Sequence, residues 1–343
     1  MIFRVPEYYS EFRCIADRCR DSCCIGWEIE IDPETARLYA QTGGELGSRF
    51  RDSIRDNCFV LTPDERCPFL NKQGLCDIYR ELGEESLCQI CSDHPRYFEW
   101  FGSVKEGGIG LCCEEAARVI LSGGLGFTET EVPEEECQEY DHELFGYLVL
   151  AREVIISHLV RGDLFSEIRS MVDFADELQE TIDKGEYTLP EWHESHSGSH
   201  ADVSDVMGIF TELEPIDEEW IPYINKCLSD IGGYHGLRRE HADMLRRITV
   251  YFIYRYFLKG TFDGEVVSRV RLAALSTWTV GYLWDCGMRK NQSFGFEECA
   301  ETAKNYSKEV EYSEDNLELL CDAFYERKCL SADGIKALFG EIS

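Results

Sequence analysis

The chain has 343 residues, which is enough for one large domain or for two ordinary domains with sizeable cores. Its hydrophobic content of 44% and aromatic content of 12% are typical of globular proteins and exclude a disordered one. A formal net charge of −32 disfavours nucleic acid and anionic membrane surfaces as partners; it either attracts a cationic partner, such as a lysine-bearing protein, or serves solubility alone.

The N-terminal segment, MIFRVPEYYSEFR, contains no basic stretch followed by an apolar run, so we expect no secretory signal. Arg255 and Lys259 interrupt the most apolar run, which leaves no stretch of the ~18–20 apolar residues that a membrane span needs. These features predict a cytoplasmic protein.

Residues 1–126 are predicted to form a cysteine-rich, metal-binding domain with little β structure. Residues 27–32 alternate between apolar and polar and predict a short strand at most, after which Pro33 begins a helix that continues to about Gly43. Further helical segments are expected at 78–82, from residue 84 onwards, and at 113–121.

The acidic and weakly periodic segment 127–140 is the best candidate for a domain boundary. Residues 127–343 are predicted to form an acidic helical domain that contains the substrate and cofactor pocket, with a polar loop at 185–202. The helices are expected at about 141–160, 163–182, 203–213, 217–231, 238–259, 264–286, 295–304, 313–328 and 331–339. The expected fold is therefore mainly α, with the cysteine-rich part packed on the helical part.

Cysteine is concentrated at the start of the chain, where 11 of the 17 cysteines lie within residues 1–113. Thiolates at these spacings suit zinc or iron–sulfur clusters, and in a reducing cytosol metal binding is favoured over disulfides. The candidate metal ligands are Cys14, Cys19, Cys23, Cys24, Cys67, Cys76, Cys88, Cys91 and Cys113. They exceed the needs of one [4Fe–4S] cluster, so either a second site exists, for example one for Zn²⁺, or several thiols are structural.

The remaining cysteines are scattered through helical patterns and are predicted to be small core residues. They are Cys137, Cys227, Cys286, Cys299, Cys321 and Cys329. For the N-terminal group, the alternative to metal binding is that most of its members are buried free thiols.

The order of the N-terminal motifs resembles the flagellin lysine-N-methylase family. The resemblance rests on FRCIADRCRDSCCIGWEIEID, followed by CPFL, LCDIY, LGE, LCxxC and PR, and by the segment CEEAAR, in which Glu114 stands where the family has proline. ITVYFIYRYFL, at residues 248–258, resembles an aromatic helix of the same family. The shorter cores, CxxxCC and CPxL, are also similar to a broader YkgJ-type cysteine-cluster domain, regarded as a zinc- or iron-chelating module.

The resemblance implies a protein-lysine N-methyltransferase that uses S-adenosylmethionine to modify flagellin, with a [4Fe–4S] cluster bound by N-terminal cysteines. The chain contains no strand–GxGxxG–helix signature, so S-adenosylmethionine must bind in another way. Because a neutral lysine amine is already a good nucleophile, we expect polar rather than radical transfer.

Polar transfer requires a group that binds the lysine ammonium and helps it lose its proton. It also requires groups that hold the methyl donor. Glu115 and Tyr254 are the candidate catalytic residues. Arg96 and Arg255 are candidates for gripping the cofactor carboxylate, and Trp27 for contacting the sulfonium. The spacing of His193, His196 and His200 also permits zinc binding, although a solvated loop is the simpler interpretation.

Two other functions remain open at this point. The first is a non-catalytic adaptor in which bound zinc or iron holds the N-terminal part together. The second is a redox protein that uses a cluster for electron transfer.

Overall fold

The structure, a computed structural model, describes residues 1–26, 29–135, 138–196, 201–291 and 293–340. The fold is mainly α, as predicted from the sequence. The helices are α1 (Pro33–Gln41), α2 (Gly44–Ser53), α3 (Asp77–Leu82), α4 (Gln89–Asp93), α5 (Glu114–Ser122), α6 (His142–Arg161), α7 (Leu164–Asp183), α8 (Val203–Ile209), α9 (Trp220–Ser229), α10 (Ala242–Tyr256), α11 (Gly260–Asp263), α12 (Val267–Lys290), α13 (Phe296–Glu311), α14 (Glu314–Glu326) and α15 (Ala332–Ala337).

Local capping explains why several helices begin where the sequence predicts. Asp32 caps α1 by accepting a hydrogen bond from the Thr35 backbone N–H at 2.9 Å, and Pro33 occupies the first turn. Asp141 and Asp163 cap α6 and α7 in the same way. The predicted helices over 141–160 and 163–182 are therefore confirmed to within one residue at each end.

The centre of the molecule is formed by α10 and α12, which pack against each other. Most of α12 is buried, including the large rings of Trp278, Tyr282 and Trp284. A hydrogen bond of 2.9 Å between the hydroxyls of Thr249 and Thr277 joins the two helices inside this apolar contact. Helices α6, α7, α13 and α14 pack around this pair.

A four-stranded sheet is the main feature that the sequence did not predict. Its strands run in the order β4 (Arg96–Phe101), β5 (Val104–Ile109), β1 (Ile2–Pro6) and β6 (Phe127–Glu131). β1 is parallel to β5 and antiparallel to β6, with Phe3 opposite Lys105 and Thr130. The short hairpin of β2 (Ile54–Arg55) and β3 (Cys58–Phe59) completes the strands of the described residues.

The sheet crosses the predicted domain boundary, because β6 begins the segment that the sequence assigned to a linker. The large hydrophobic core also extends to both sides of residue 126, from Tyr8 and Phe12 to Phe339. A second, smaller core lies within residues 29–91 and is built on the stacked rings of Tyr39 and Phe50, 4.0 Å apart. The division into 1–126 and 127–343 remains a prediction.

No helix of the described ranges is long and apolar enough to cross a membrane.

A buried ion pair ties the sheet to the helices. Arg152 of α6 is 1% exposed and Glu106 of β5 is 4% exposed. The two guanidinium Nη atoms each donate to one carboxylate oxygen of Glu106, with 2.7 Å between Nη1 and Oε2. The guanidinium also lies 5.0 Å from the ring centre of Tyr254 on α10. One side chain therefore connects α6, the sheet and α10.

We expect the substitution Arg152→Met to lower the free energy of unfolding by about 3–5 kcal/mol, because it leaves the Glu106 carboxylate buried and unpaired. The double variant Arg152→Met/Glu106→Leu should recover most of this loss. Urea unfolding followed by circular dichroism measures both effects.

The control is Lys184→Ala, which breaks an exposed pair with Glu180 and should change stability by no more than about 0.5 kcal/mol. A double variant as unstable as Arg152→Met would contradict this interpretation of the buried pair.

Candidate functional site

Nine cysteines of the N-terminal part form two neighbouring sets of thiols. The first, which we name the outer thiol group, consists of Cys14, Cys19, Cys23 and Cys113. The hydrogen bond with Cys24 and burial raise the pKa of Cys23, and the nearby Cys14 and Cys113 add to the rise. Burial raises the pKa of Cys19, with a smaller contribution from Cys14. Cys14 and Cys23 are exposed, so this group lies close to solvent.

Cys113 joins the outer thiol group from the start of α5. Burial raises the pKa of this thiol to about 11, and the nearby Cys19 and Cys14 add to the rise. The backbone N–H groups of Ala116 and Glu115 lower the pKa of Cys113, because they stabilise negative charge on its sulfur at the helix N-terminus. Cys113 therefore lies near the thiols of residues 14–23, although it follows them by some ninety positions in the chain.

The second set, the inner thiol group, consists of Cys24, Cys67, Cys76, Cys88 and Cys91. The sulfurs of Cys88 and Cys91 are 3.3 Å apart, and the backbone N–H of Cys67 donates to the Cys24 carbonyl at 2.8 Å. Burial raises the pKa of Cys67 to about 12, with further contributions from Cys24, Cys76 and Cys88. These thiols adjoin the small core and are less exposed than Cys14 and Cys23.

The adjacent residues Cys23 and Cys24 connect the two groups, and their side chains hydrogen-bond to each other. The chemistry of both donor sets fits thiolate-bound zinc or an iron–sulfur cluster. Among the described side chains, however, no three of the types His, Cys, Asp or Glu converge around one point that could hold a metal ion.

Charged residues fasten the outer thiol group to the C-terminal helices. Asp21 accepts hydrogen bonds from Lys304 at 2.9 Å and from Lys308 at 3.2 Å, both on α13. The Arg20 backbone N–H and guanidinium both donate to Glu114, which is 5% exposed. The residues between Cys19 and Cys23 are thus held against α5 and α13.

Sequence reasoning missed Asp21, Lys304 and Glu311. The predicted helix at 295–304 ends seven residues too early, so the face shared by Lys304, Ser307, Lys308 and Glu311 was not visible. Their spacing of three or four residues was the signal that could have revealed this polar face.

Arg255, a predicted cofactor-binding residue, belongs to a buried network centred on Glu311. Its guanidinium pairs with the Glu311 carboxylate at 3.0 Å. Tyr251 and Tyr256 donate to the same carboxylate at 3.0 and 2.8 Å, and Ser307 donates at 2.5 Å. A carboxylate with this many donors holds α10 and α13 together. Arg255 can bind a cofactor carboxylate only if its guanidinium releases Glu311 or binds both carboxylates at once.

The other predicted site residues contact different parts of the fold. Tyr254 is 3% exposed and donates its hydroxyl to the Arg4 carbonyl at 2.7 Å. Glu115 pairs with Arg118 at 3.3 Å, and its side chain is 26% exposed. The Arg96 guanidinium lies over the Tyr9 and Phe12 rings, 5.8 and 5.2 Å from their centres. Trp27, Cys137 and His200 lie outside the described residues.

Tyr312 links His94 to Cys112, the residue that directly precedes Cys113 of the outer thiol group. Burial lowers the pKa of His94 to about 4, so its imidazole is neutral near pH 7. Its ring lies 6.5 Å from that of Tyr312, which hydrogen-bonds to the Cys112 thiol. Cys112 is buried beside this contact and is not a member of either thiol group.

Comparison with known proteins gives one family and several relatives. Residues 167–338, half of the chain, match the family described as the FliB lysine N-methylase C-terminal domain. The chain is 26% identical over 130 residues to the lysine-N-methylases of Salmonella typhimurium and Salmonella choleraesuis, an alignment that covers 34% of this chain and 32% of each relative. The chain therefore matches about a third of the length of these relatives.

A protein of Salmonella muenchen named flagellar biosynthetic protein FliU is also 26% identical over 130 residues, which cover 34% of this chain and 75% of that protein. No solved structure shows significant similarity to the chain.

We expect Asp21→Ala to release the segment that carries Cys14, Cys19 and Cys23, because it removes the carboxylate held by Lys304 and Lys308. Trypsin should cleave after Arg18 or Arg20 about 3–10 times faster, as expected when local opening becomes easier by about 1 kcal/mol. Mass spectrometry of a digestion time course under native conditions measures the rates.

Asp17→Ala is the matched control, since Asp17 is exposed on the same segment and its loss should leave the rates unchanged. Lys304→Met should act like Asp21→Ala, and combining the two should add little. Equal cleavage of Asp21→Ala and the unsubstituted protein would show that the contact does not hold the segment.

Proposed function

The chain belongs to the FliB lysine N-methylase family, and we propose that it transfers methyl groups to the side-chain amines of lysine residues in flagellin. The observation that carries this proposal is the family match over residues 167–338. The names of the relatives, lysine-N-methylase and flagellar biosynthetic protein FliU, support both the reaction and the substrate.

The proposed methyl donor is S-adenosylmethionine, and the proposed transfer is polar. The substrate ammonium first loses its proton to water. The neutral amine then attacks the methyl carbon, a nitrogen–carbon bond forms, and the carbon–sulfur bond breaks with its electron pair remaining on sulfur. The protein has to align the three atoms and exclude competing water.

Of the two candidate catalytic residues, Glu115 suits contact with substrate better. Its carboxylate is partly exposed at the start of α5 and can attract a lysine ammonium. Burial raises the pKa of Tyr254 well above its ordinary value, and its hydroxyl is already bound to the Arg4 carbonyl. We therefore propose Glu115 as the group that binds the substrate ammonium and Tyr254 as part of the supporting core.

For the carboxylate of the donor we propose Arg96 rather than Arg255. Arg255 is paired with Glu311 inside the fold, and breaking that pair leaves a carboxylate buried without its cation. Arg96 is half-buried and lies on the aromatic rings of Tyr9 and Phe12. Such a guanidinium can bind a carboxylate through two parallel hydrogen bonds.

We propose that the outer thiol group holds the [4Fe–4S] cluster. Its four thiols match the number that such a cluster uses, and Asp21 and Glu114 fasten it to α5 and α13.

We propose a structural role for the inner thiol group, in which four of its five thiols form a closed zinc site that stabilises the small core. Its cysteines adjoin the aromatic rings of Tyr39, Phe50 and Phe69, which pack on one another. Closed thiolate sites of this kind contribute directly to the free energy of folding. The CxxxCC motif then supplies Cys23 to one site and Cys24 to the other.

Anaerobically purified protein should contain about four irons and four acid-labile sulfides per chain, together with zinc. With labelled S-adenosylmethionine and flagellin it should label lysine. We expect Cys23→Ser and Cys113→Ser to lose the visible absorption and the labelling, because each removes a ligand of the outer thiol group, whereas Cys67→Ser should lose zinc.

Cys329→Ser is the control, because this partly exposed thiol belongs to neither group, and it should keep metal and activity. Iron and sulfide without labelling of lysine in flagellin would reject the proposed enzyme. Colourless zinc protein that does not bind S-adenosylmethionine would favour the adaptor instead.

A further inference from the structure

Two cysteines that the proposed function does not use lie together in the helical core. Cys227 of α9 and Cys286 of α12 are buried, at 0% and 1% exposure, and their sulfurs are 2.8 Å apart. Fifty-nine positions separate them along the chain, so the fold and not their sequence spacing brings them together.

The two helices are held at this distance by other contacts. The Tyr282 hydroxyl donates to the Cys227 carbonyl at 2.9 Å, one turn of α12 before Cys286. Arg289, in the last turn of α12, donates to the backbone carbonyl and the carboxylate of Asp230, just after the end of α9. Because the sulfurs are already so close, small changes of side-chain rotamer would bring them to the ~2.05 Å of a disulfide bond.

A cation makes one of the two sulfurs the better nucleophile. The Lys290 ammonium lies 3.1 Å from the Cys286 sulfur. Hydrogen bonding to Cys227, together with Lys290, lowers the pKa of Cys286 to about 6 against the opposing effect of burial. This is notable at the C-terminal end of a helix, where the backbone carbonyls disfavour an anion.

Lys290 also gives the pair a short connection to solvent. Its side chain is exposed, and its ammonium lies 3.4 Å from the carbonyl of Lys226 on α9. The ammonium beside the Cys286 sulfur therefore belongs to a side chain that reaches solvent, which gives a small, uncharged oxidant a direction of approach.

We propose that Cys227 and Cys286 form a peroxide-reactive dithiol, in which Cys286 reacts with hydrogen peroxide and Cys227 then closes a disulfide between α9 and α12. This site goes beyond the proposed methyl transfer and does not depend on it.

The reaction has two steps. The Cys286 thiolate attacks one peroxide oxygen, a sulfur–oxygen bond forms, and the oxygen–oxygen bond breaks. The departing hydroxide takes a proton from the Lys290 ammonium, which solvent restores. Cys227 then attacks the sulfenic sulfur, the sulfur–sulfur bond forms, and hydroxide leaves with the Cys227 proton as water. Overall, two thiols lose two electrons and two protons, and one peroxide becomes two waters.

The test treats the full-length, reduced holoprotein with one equivalent of hydrogen peroxide, followed by alkylation and peptide mass spectrometry. We expect a linked peptide that contains Cys227 and Cys286, reversible by a dithiol reductant. In Cys227→Ser a dimedone adduct should accumulate on Cys286, because the resolving thiol is missing. In Cys286→Ser, Cys227 should stay unmodified.

Lys290→Met should slow formation of the linked peptide about tenfold at pH 7, because less of Cys286 is then thiolate. The matched control is Cys299→Ser, which removes a buried thiol with no cysteine partner among the described residues and should leave the rate unchanged. The proposal is wrong if both cysteines stay reduced while other thiols of the chain are oxidised. It is equally wrong if Cys286 proceeds to sulfinic acid without linkage to Cys227.

Discussion

The ion pair between Arg152 and Glu106 is the constraint on which the packing of the N-terminal sheet against the helices depends. Both groups are removed from water, so each charge is tolerable only while the other faces it. The pair fixes β5 against α6, and β5 in turn pairs with β1 at the start of the chain. The residues that lead into the first cysteine are therefore anchored to the helical core.

A second layer of charge determines where the thiols lie. Asp21 and Arg20 connect residues 14–23 to α13 and α5. Glu311 accepts hydrogen bonds from side chains of both α10 and α13. α13, which lies in the half of the chain that matches the family, thus supplies part of the surface on which the outer thiol group rests. This arrangement gives the N-terminal cysteines a physical connection to the part of the chain that defines the family.

The parts of this structure that depend on local sequence were predictable, and those that depend on distant contacts were not. Helices such as α6 and α7 follow from apolar spacing and from the caps Asp141 and Asp163, which act within a few residues. The four-stranded sheet was missed because β1 is only five residues long and its partners lie about a hundred positions away. Nothing within the segment IFRVP identifies those partners.

The candidate site shows the same contrast. Spacing alone selected the nine cysteines, but it did not show that Cys23 and Cys24 belong to different thiol groups, because that depends on which distant cysteines approach each of them. Arg255 was selected as a cation for the carboxylate of the cofactor, whereas its buried partner Glu311 lies on a helix that was predicted too short.

The distance along the chain between Asp21 and Lys304 also affects how the protein is made. These residues are 283 positions apart, and Arg20 and Glu114 are 94 apart. During synthesis, the first cysteines leave the ribosome long before the helix that holds them exists. Until α13 has been translated, residues 14–23 lack the ion pairs that Asp21 makes with Lys304 and Lys308. The outer thiol group therefore reaches its final geometry only after α13 has been translated.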